Sequence, residues 1–342
     1  MLKKQSKFVV NMKFLVVGCG SIGERHIKNL NKLGPRGGVD KIFAYDKNVK
    51  RLAELEKKYD IKICHSLDAG LTESPNAVLV CTPTNTHISV AMRALKQNCH
   101  IFIEKPISHN MVSVDKFLTT AKRQNRIIAV GYNMRFHPGL QLVKKMLGSN
   151  KFGKVLVARA EYGQYMPDWR PQQDYKKIYS AKKFEGGGII LDASHEIDYI
   201  MWLLGDVKEL MCQADKVSDL KIDVEDAADI LIRFNSGALA NIHLDALQKY
   251  YARSCKLICE KGIIVWDYPK NIVEVFSAKT CQRKIFKIKS DSNDMYLAEI
   301  THFIDCIRNK KRPIVTGDDG KKTLEIALAA KKSAEIGMGI KL

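Results

Sequence analysis

The sequence predicts an α/β fold in two domains: a parallel-sheet domain over residues 1–131, then an α+β domain with a mainly antiparallel sheet over residues 132–342. Three observations support this prediction. The 342 residues are enough to form two hydrophobic cores. Short apolar runs alternate with amphipathic helical segments as far as Gly131. Longer strands, two of them joined by a hairpin signal, follow from Val155 onward.

The first domain is predicted from its alternation of strands and helices. The strands are almost continuously apolar, which is typical of a parallel sheet buried on both faces. They are Phe14–Val17, Lys41–Tyr45, Ile61–Ile63, Ala77–Cys81, Ile101–Ile103 and Ile127–Val130. Helices are predicted from the glycine motif at 18–23 to about Leu33, and over Val49–Tyr59, His87–Asn98 and Met111–Asn125. We expect the first helix to stop at Gly34 and Pro35, because glycine permits a left-handed cap and proline cannot continue a helix.

Longer strands, often with apolar–polar alternation, characterise the second domain. They are predicted at Val155–Tyr162, Ala228–Phe234, Ala238–Asp245, Lys256–Cys259 and Ile263–Asp267. The sequence Asn-Ser-Gly at 235–237 is a hairpin turn signal between two of these strands. Strands joined by hairpins pair in an antiparallel manner, and a final helix is predicted over Leu324–Ile336.

The composition is that of an ordinary globular protein with an excess of positive charge. Lysine and arginine number 56 against 37 acidic residues, a formal net charge of +19. The basic residues are spread along the chain without a basic tail, so we expect a solvated surface and no nucleic acid partner. No apolar run reaches the roughly 18 residues of a membrane helix, and no membrane partner is expected. The first dozen residues are interpreted as a short extension, since Asn11 and Lys13 interrupt the apolar stretch that a signal peptide needs.

The nine cysteines do not have the spacing of a metal site, and no C-x-x-C pair occurs. Cys19 and Cys81 fall at predicted strand ends, where small apolar residues are common. We therefore expect buried structural thiols in a reducing compartment, with a cytoplasmic location and no bound metal.

A glycine motif directly follows the first predicted strand. Gly18, Gly20 and Gly23 open the first helix and are suited to a tight turn, a close approach of a pyrophosphate and helix–strand packing, respectively. Asp46 lies 23 positions after the last of these glycines, at the end of the second strand. Its carboxylate is expected to accept bonds from the adenosine ribose and to repel a 2′-phosphate, which favours NAD over NADP. Lys47 beside it weakens that preference.

Four further motifs stand at predicted strand ends or in the second domain. They are CTPTNTH at 81–87, EKP at 104–106, GYNMRFHP at 131–138 and GGGIILDASHEID at 186–198. Together with the tail PIVTGDDG at 313–320, they strongly resemble the Gfo/Idh/MocA family of oxidoreductases over nearly the whole chain. The resemblance implies a Rossmann domain, then a domain with a large open sheet that mediates assembly as a homodimer or homotetramer. It also implies tightly held NAD(P) and hydride transfer at a ring carbon of a sugar, cyclitol or related polyol.

The family motifs assign the cofactor-binding positions by resemblance. Asn85 and His87 are expected on the nicotinamide side of the cofactor cleft. The full predicted cofactor set is Gly18, Gly20, Ser21, Ile22, Gly23, Asp46, Cys81, Thr82, Pro83, Asn85, His87, Glu104 and Lys105.

Three residues are predicted to be catalytic by the same resemblance. Lys105 matches the family's catalytic lysine, and an ammonium there is chemically suited to stabilise an alkoxide and pass a proton. His195 and Asp192 match the second catalytic pair, with the carboxylate orienting the imidazole. If the segment is one continuous helix, both lie on one face together with Asp198. The gap from Asp192 to His195 is three residues instead of the family's usual four, so Asp198 is an alternative orienting group.

The substrate is expected to meet residues of the second domain. The predicted substrate-binding set is Asn133, Arg135, Tyr165, Trp169, Arg170, Asp192 and His195. The loop around Tyr165 and Trp169 carries the aromatic and bidentate polar groups that hold sugars. It resembles a family branch of bacterial surface-sugar pathways, whose substrates are often nucleotide-linked or acidic.

These observations lead to one main functional hypothesis and several alternatives. The main hypothesis is an NAD-dependent oxidoreductase acting on a sugar or sugar derivative, with polysaccharide or nonulosonic-acid biosynthesis as its setting. The alternatives within enzymes are a cyclitol or dihydrodiol dehydrogenase, or a reductase of another carbonyl. A regulator that senses NAD or sugar is a further alternative, but a pure sensor needs neither Lys105 nor His195.

Overall fold

The structure, a computed structural model, describes residues 11–342; the first ten residues of the expected N-terminal extension lie outside this range. The chain divides into two compact units. The first contains the described residues up to Glu104 together with 113–131 and 296–317, and the second contains 105–112, 132–295 and 318–342. Two segments fall on the other side of the predicted boundary. Residues 105–112, which include Lys105, belong to the second unit, and residues 296–317 pack with the first unit although they lie far away in sequence.

The first unit is built on a six-stranded parallel sheet. The strand order is β3-β2-β1-β4-β5-β6, where the strands are β1 (Met12–Val17), β2 (Val39–Tyr45), β3 (Lys62–Ile63), β4 (Ala77–Val80), β5 (His100–Ile103) and β6 (Ile128–Val130). Its helices are α1 (Ser21–Gly37), α2 (Val49–Lys58), α3 (Leu67–Thr72), α4 (His87–Lys96) and α5 (Val114–Arg123), joined by most of α9 (Asp294–Asn309). The six predicted strands are confirmed within one or two residues, whereas α3 and α9 were not predicted.

Burial explains why the central strands are continuously apolar. All four residues of β4 are fully buried, as are Phe14, Leu15 and Val16 of β1. The side chains of Phe303 and Ile300 on α9 belong to the same hydrophobic core as Phe14. A parallel sheet covered by helices on both faces has no polar side, so its strands lack alternation.

The first helix bends where its end was predicted. Gly34 has φ +52°, outside helical geometry, but the chain continues through one more turn with Pro35 inside it. Gly38, with φ +92°, forms the left-handed cap instead. The predicted stop at Gly34 and Pro35 therefore marks the end of the straight part of the helix, but not the end of the helix itself, which continues for one more turn.

The second unit contains a nine-stranded mixed sheet in the order β14-β13-β12-β11-β7-β10-β9-β8-β15. Its strands are β7 (Val155–Gly163), β8 (Val207–Asp215), β9 (Ala227–Phe234), β10 (Leu239–Asp245), β11 (Ala252–Cys259), β12 (Gly262–Asp267), β13 (Ile272–Ser277), β14 (Gln282–Lys287) and β15 (Ile340–Lys341). Its helices are α6 (Pro138–Gly148), α7 (Ile189–Asp192), α8 (Ser194–Leu204) and α10 (Gly317–Ile336). Only β10 and β7 pair in parallel, so the predicted mainly antiparallel sheet is confirmed, including the hairpin between β9 and β10.

One face of this sheet is buried and the other is exposed. Residues alternate between the two classes along β9 and β10, as expected of a sheet covered on one side. The exposed face nevertheless carries large apolar side chains: Met211, Leu231 and Leu239 are 43%, 56% and 44% exposed. Met211 and Leu231 are direct neighbours across β8 and β9.

The described residues also bear on the membrane and thiol expectations. None of the helices within residues 11–342 combines the length and the apolar character that a membrane span requires. All nine cysteines are unpaired; eight are buried, and Cys281 is exposed. Burial raises the pKa of the Cys19 thiol to about 12, so this group stays protonated and inert.

Candidate active site

The glycine motif after β1 forms a close-packed turn. Gly18 has φ +88°, and a Cβ there would lie 2.6 Å from the main-chain oxygen of Cys81. A Cβ on Gly23 would lie 1.9 Å from the main-chain oxygen of Gly18. Gly20, in contrast, faces open space. The first and third glycines are thus needed for packing, and the second leaves the backbone open to a ligand, as a dinucleotide pyrophosphate requires.

The start of α1 is suited to an anion. No side chain caps the helix at Gly20, so amide groups of its first turn keep their donor capacity. The acidic residue of that turn, Glu24, is bound elsewhere, by Lys58, Arg51 and Tyr59. Burial alone would raise the Glu24 pKa, but these hydrogen bonds lower it to about 2. Arg51 also donates to the main-chain oxygen of Cys19 at 3.1 Å, a support for the turn that the sequence did not indicate.

Asp46 lies beside the same turn, because β1 and β2 are neighbours in the sheet. Its Oδ2 accepts a hydrogen bond from the Cys19 amide at 2.6 Å, and its Oδ1 accepts one from the Asn48 amide at 2.7 Å. Each carboxylate oxygen has a second lone pair for a ribose hydroxyl. The amide contacts hold the carboxylate at the end of the second strand, where an acidic residue accompanies the glycine motif of a dinucleotide-binding domain.

The predicted cofactor positions at the start of α1 and in the turn after β4 differ in exposure. Ser21 and Pro83 are exposed, whereas Ile22, Thr82 and Asn85 are half-buried. His87 is different: it is only 1% exposed, and its Nε2 lies 2.9 Å from the main-chain oxygen of Thr82. In this structure the His87 ring holds the turn, and its expected contact with the cofactor stays a prediction.

Glu104 forms a contact inside the first unit. Its Oε1 lies 2.6 Å from Nε2 of buried His26, and its expected contact with the cofactor stays a prediction. Glu299 of α9 joins them, and one ligand-type atom from each of the three side chains lies within 4.8 Å of the other two. Burial and the nearby Glu104 charge raise the pKa of Glu299 well above its usual range. Sequence analysis missed this cluster, because His26 and Glu299 lie far from the strand that Glu104 follows.

Lys105 and Asp192 come together in the second unit. The Lys105 ammonium donates to the main-chain oxygen of Asp192 at 2.6 Å and lies 3.9 Å from its Oδ1. The Tyr179 hydroxyl donates to the same Oδ1 at 2.6 Å. Asp192 Oδ2 is buried and has no hydrogen-bond partner in the described chain. Tyr179 was not predicted, because no local pattern marks a single tyrosine in a run of short 3₁₀ turns.

The segment that carries Asp192 and His195 is not one continuous helix. α7 ends at Asp192, Ala193 leaves helical geometry, and α8 begins at Ser194. The predicted shared helical face is therefore wrong. Neither Asp192 nor Asp198 forms a hydrogen bond with His195 among the described residues, so neither carboxylate orients the ring directly.

His195 is held in a largely apolar and positively charged environment. It is 9% exposed, its Nδ1 is buried without a partner in the described chain, and Tyr132 packs edge-on at 5.5 Å between ring centroids. Burial, then the charges of Lys105 and Arg253, lower the His195 pKa well below its usual 6.5. The imidazole is therefore neutral at physiological pH and able to accept a proton.

A buried ion pair next to His195 escaped sequence analysis. Arg253 of β11 lies 2.8 Å (Nε to Oε1) from Glu196, which directly follows His195. Its guanidinium stacks on Tyr162 at 4.6 Å from the ring centroid. No local pattern distinguishes Arg253 from Lys256 of the same strand, and the sequence does not identify the partner of either.

Arg135 is held by two carboxylates, and its expected contact with the substrate stays a prediction. It donates to Asp198 through Nε at 2.9 Å and Nη2 at 2.7 Å, and its Nη1 lies 3.6 Å from Asp319. With the residue 5% exposed, its guanidinium is committed to carboxylates. Asn133, which is 2% exposed, keeps a buried Oδ1 without a partner in the described chain.

The loop after β7 holds the remaining predicted substrate residues. Tyr165, Trp169 and Arg170 are all half-buried. Trp169 donates from Nε1 to the main-chain oxygen of Gln164 at 2.9 Å, so its indole supports the loop. The Lys249 ammonium lies over the Tyr165 ring, which adds a positive charge beside this loop.

Comparisons with known proteins agree with this geometry. Residues 12–132 match the family model described as "Oxidoreductase family, NAD-binding Rossmann fold", and residues 140–265 match the GFO/IDH/MocA C-terminal domain. The molecule is thus an oxidoreductase of the class that uses a nicotinamide dinucleotide. More particularly, the chain belongs to the GFO/IDH/MocA family, as the sequence resemblance predicted.

Similar proteins extend over almost the full length. A myo-inositol 2-dehydrogenase of Thermotoga maritima is 31% identical, with 97% of this chain and 98% of that protein covered. The structure of UDP-N-acetylglucosamine 3-dehydrogenase from Acidithiobacillus ferrooxidans has a TM-score of 0.81 at 22% identity, covering 96% of this chain and 99% of that one. The WlbA dehydrogenase of Bordetella pertussis, solved with NADH and UDP-GlcNAcA, has a TM-score of 0.82 at 22% identity, covering 97% and 99%. At these identities the two structures show the shared fold.

Proposed function

We propose that the protein is an NAD-dependent dehydrogenase that oxidises a ring CH–OH of a sugar or sugar derivative, or reduces the matching ketone. The observation that carries this proposal is the cluster of Lys105, Asp192 and His195 within the second unit. An ammonium and a neutral imidazole in one cluster are the groups that alcohol oxidation needs. The relatives are dehydrogenases of inositols and of a UDP-sugar, which supports a polyol substrate.

In the proposed mechanism, alcohol oxidation separates a proton from the oxygen and a hydride from the carbon. Neutral His195 accepts the hydroxyl proton, and the Lys105 ammonium stabilises the oxygen as negative charge develops on it. Bound NAD supplies the acceptor for the hydride. Asp192 positions Lys105 through its main-chain oxygen, and Tyr179 fixes the Asp192 carboxylate. In the reverse direction, protonated His195 returns this proton to the new alkoxide, while the Lys105 ammonium stabilises the charge on the oxygen.

Three observations on residues of the first unit support NAD as the cofactor. Gly18 and Gly23 occupy places where a Cβ would collide with the backbone. The amides at the start of α1 have no side-chain cap. Asp46 is fixed by two amides with acceptor capacity remaining, and its negative charge favours a ribose diol over a phosphate.

Two substrate classes follow from different observations. The basic and aromatic groups Arg170, Lys249 and Tyr165 favour an acidic or nucleotide-linked sugar. The similarity to a myo-inositol dehydrogenase favours a free cyclitol as the second candidate. The test is a panel of cyclitols, free sugars and UDP-sugars, assayed with NAD for NADH absorbance and, with the matching ketones, for NADH loss. The substrate class is identified by the compounds that the wild type turns over and that Lys105→Ala does not. The absence of turnover of every compound, in both directions, contradicts the proposal.

We also propose that the exposed face of the nine-stranded sheet is a subunit interface of a homodimer or homotetramer. The half-exposed apolar side chains of Met211, Leu231 and Leu239 support this proposal. Light scattering on Leu231→Lys should show a smaller assembly than the wild type. Val49→Lys, at a 66% exposed apolar position of the first unit, is the matched control. A wild-type monomer contradicts the proposal.

The unpaired cysteines support a reducing compartment such as the cytoplasm. All nine thiols are free, and eight of them are buried. Proteins of oxidising compartments commonly pair their cysteines, whereas a reducing compartment preserves free thiols.

A further inference from the structure

A polar cavity of about 300 Å³ lies in the first unit, away from the predicted cofactor residues. It is found at the amino ends of β4 and β5, whereas the glycine turn and Asp46 follow carboxyl ends of strands of the same parallel sheet. Its lining residues are Met12, Leu71, Ser74, Pro75, Asn76, Gln97, Asn98, His100, Arg126, Ile307 and Arg308. The dinucleotide site therefore does not account for this cavity.

The lining is positively charged. Arg126 and Arg308 contribute two guanidinium groups, and none of the described lining residues is Asp or Glu. Arg126 uses Nε and Nη1 on the main-chain oxygens of Gln124 and Asn98, at 2.9 and 3.1 Å. These are neutral acceptors, so they fix the side chain without cancelling its charge. The cavity thus has a net positive potential.

Arg308 is the more unusual of the two arginines. Its Nε and Nη2 atoms are buried and have no hydrogen-bond partner in the described chain. Gly38, with φ +92°, makes room for the guanidinium, since a Cβ there would lie 1.2 Å from Nη2. Arg308 is half-buried, and two of its three guanidinium nitrogens have lost water without gaining an acceptor. Unsatisfied buried donors destabilise a fold, so a positive group kept in this state points to a negatively charged ligand.

His100 and the amide side chains add neutral donors. The Nδ1 of His100 accepts a hydrogen bond from the Ile127 amide at 3.0 Å. Burial and the charge of Arg126 lower the His100 pKa to about 4, so at neutral pH its Nε2 carries the one ring proton. Asn76, Asn98 and Gln97 bring further donor groups to the lining.

We propose that this cavity is a second ligand site that binds the phosphate group of a small anion. Two guanidinium forks and neutral N–H donors match a phosphate, which offers several acceptor oxygens in a fixed geometry. The volume of about 300 Å³ lies at the lower end of small-molecule pockets, so a phosphorylated metabolite fits the space as well as orthophosphate does.

The test is calorimetry with inorganic phosphate and with glycerol phosphate, titrated into full-length protein at constant ionic strength. Saturating NAD is present, so that binding of phosphate at the glycine turn does not contribute to the measured heat. Arg308→Gln and Arg126→Gln are the site variants. Arg123→Gln is the matched control, because Arg123 is exposed on α5 and does not line the cavity.

We expect saturable binding to the wild type and to Arg123→Gln, and a loss of affinity of about ten-fold or more in each site variant, equivalent to about 1.4 kcal/mol per lost charged contact. Tighter binding of glycerol phosphate than of orthophosphate assigns the site to a phosphorylated molecule, and the reverse assigns it to free phosphate. The absence of saturable binding to the wild type overturns the proposal, as does unchanged affinity in Arg126→Gln. Arg126 is half-buried at the surface, so that variant remains a test if Arg308→Gln fails to fold.

Discussion

Asp198 receives two hydrogen bonds from Arg135, at 2.9 and 2.7 Å, with both residues at most 5% exposed. The Asp198 carboxylate is thus bound to Arg135 and forms no hydrogen bond with His195 among the described residues. The pair instead joins the 3₁₀ turn Asn133–Phe136 to α8 inside the second unit. It is therefore a buried structural contact within the second unit.

The first prediction concerns this pair. Asp198→Ala leaves the buried Arg135 guanidinium without its bidentate carboxylate partner, so we expect a loss of about 3–5 kcal/mol in the free energy of unfolding. Urea unfolding at neutral pH measures the loss. The control is Asp206→Ala, which breaks an exposed pair with Lys322 (2.8 Å) and is expected to cost about 0–1 kcal/mol. Equal losses in the two variants would show that the Arg135–Asp198 pair is not a buried structural contact.

The second prediction concerns His195. His195→Ala should lower the rate of oxidation by on the order of 10²–10⁴, the usual contribution of a general base, with a much smaller change in substrate affinity. The pH profile is the more specific measurement. The His195 pKa is lowered, and only the neutral ring accepts a proton, so the wild-type rate should be level around neutrality. It should fall only when the pH drops well below 6.5.

A histidine with an ordinary pKa would instead give a pH profile that changes near neutrality. The mutant should lose the acid limb, and His195→Gln should behave in the same way if the limb belongs to the imidazole. A mutant that keeps both the rate and the limb would move the proton-transfer role to Lys105.

The third prediction concerns Lys105. Lys105→Ala should lower turnover by on the order of 10²–10⁴ or more, because the ammonium acts on the reacting oxygen. NAD affinity should stay near the wild-type value, since the turn at Gly20 and the carboxylate of Asp46 lie in the other unit. Steady-state kinetics and calorimetry with NAD separate the two effects, and Lys57→Ala, an exposed lysine on α2, is the control. Near-normal turnover in Lys105→Ala would mean that the EKP motif is structural here.

The fourth prediction concerns the choice of dinucleotide. The Asp46 carboxylate is fixed by the amides of Cys19 and Asn48, so it cannot easily turn away from a 2′-phosphate. Wild-type protein should bind NAD more tightly than NADP, and Asp46→Ser should narrow the ratio by about ten-fold, corresponding to about 1.4 kcal/mol of lost repulsion. Calorimetry with both dinucleotides measures the ratio, and Asp40→Ser on β2 is the exposed control. Equal affinities of the wild type for the two dinucleotides would remove Asp46 from this role.

The strands of the first sheet and the position of the glycine turn were determined by the sequence alone. Both depend on short-range patterns: a continuous apolar run marks a buried strand, and glycines at 18 and 23 are required wherever a Cβ would strike the backbone. The hairpin at 235–237 is local in the same way, because its turn residues directly join β9 and β10. The proximity of Asp46 to the turn also follows, since successive strands of a parallel sheet end at one edge.

Only the tertiary structure decided how the polar side chains are paired. Lys105 meets Asp192 across 87 positions of sequence, Arg135 meets Asp198 across 63, and His26 meets Glu104 across 78. Such pairs produce no recognisable spacing in the sequence, because the number of residues between two partners depends on every element that folds between them. The break at Ala193 likewise separates Asp192 from the helix of His195, although residue spacing alone suggested one face. Local patterns thus determined which segments are strands and where the candidate site residues occur, and long-range packing determined which polar side chains meet one another.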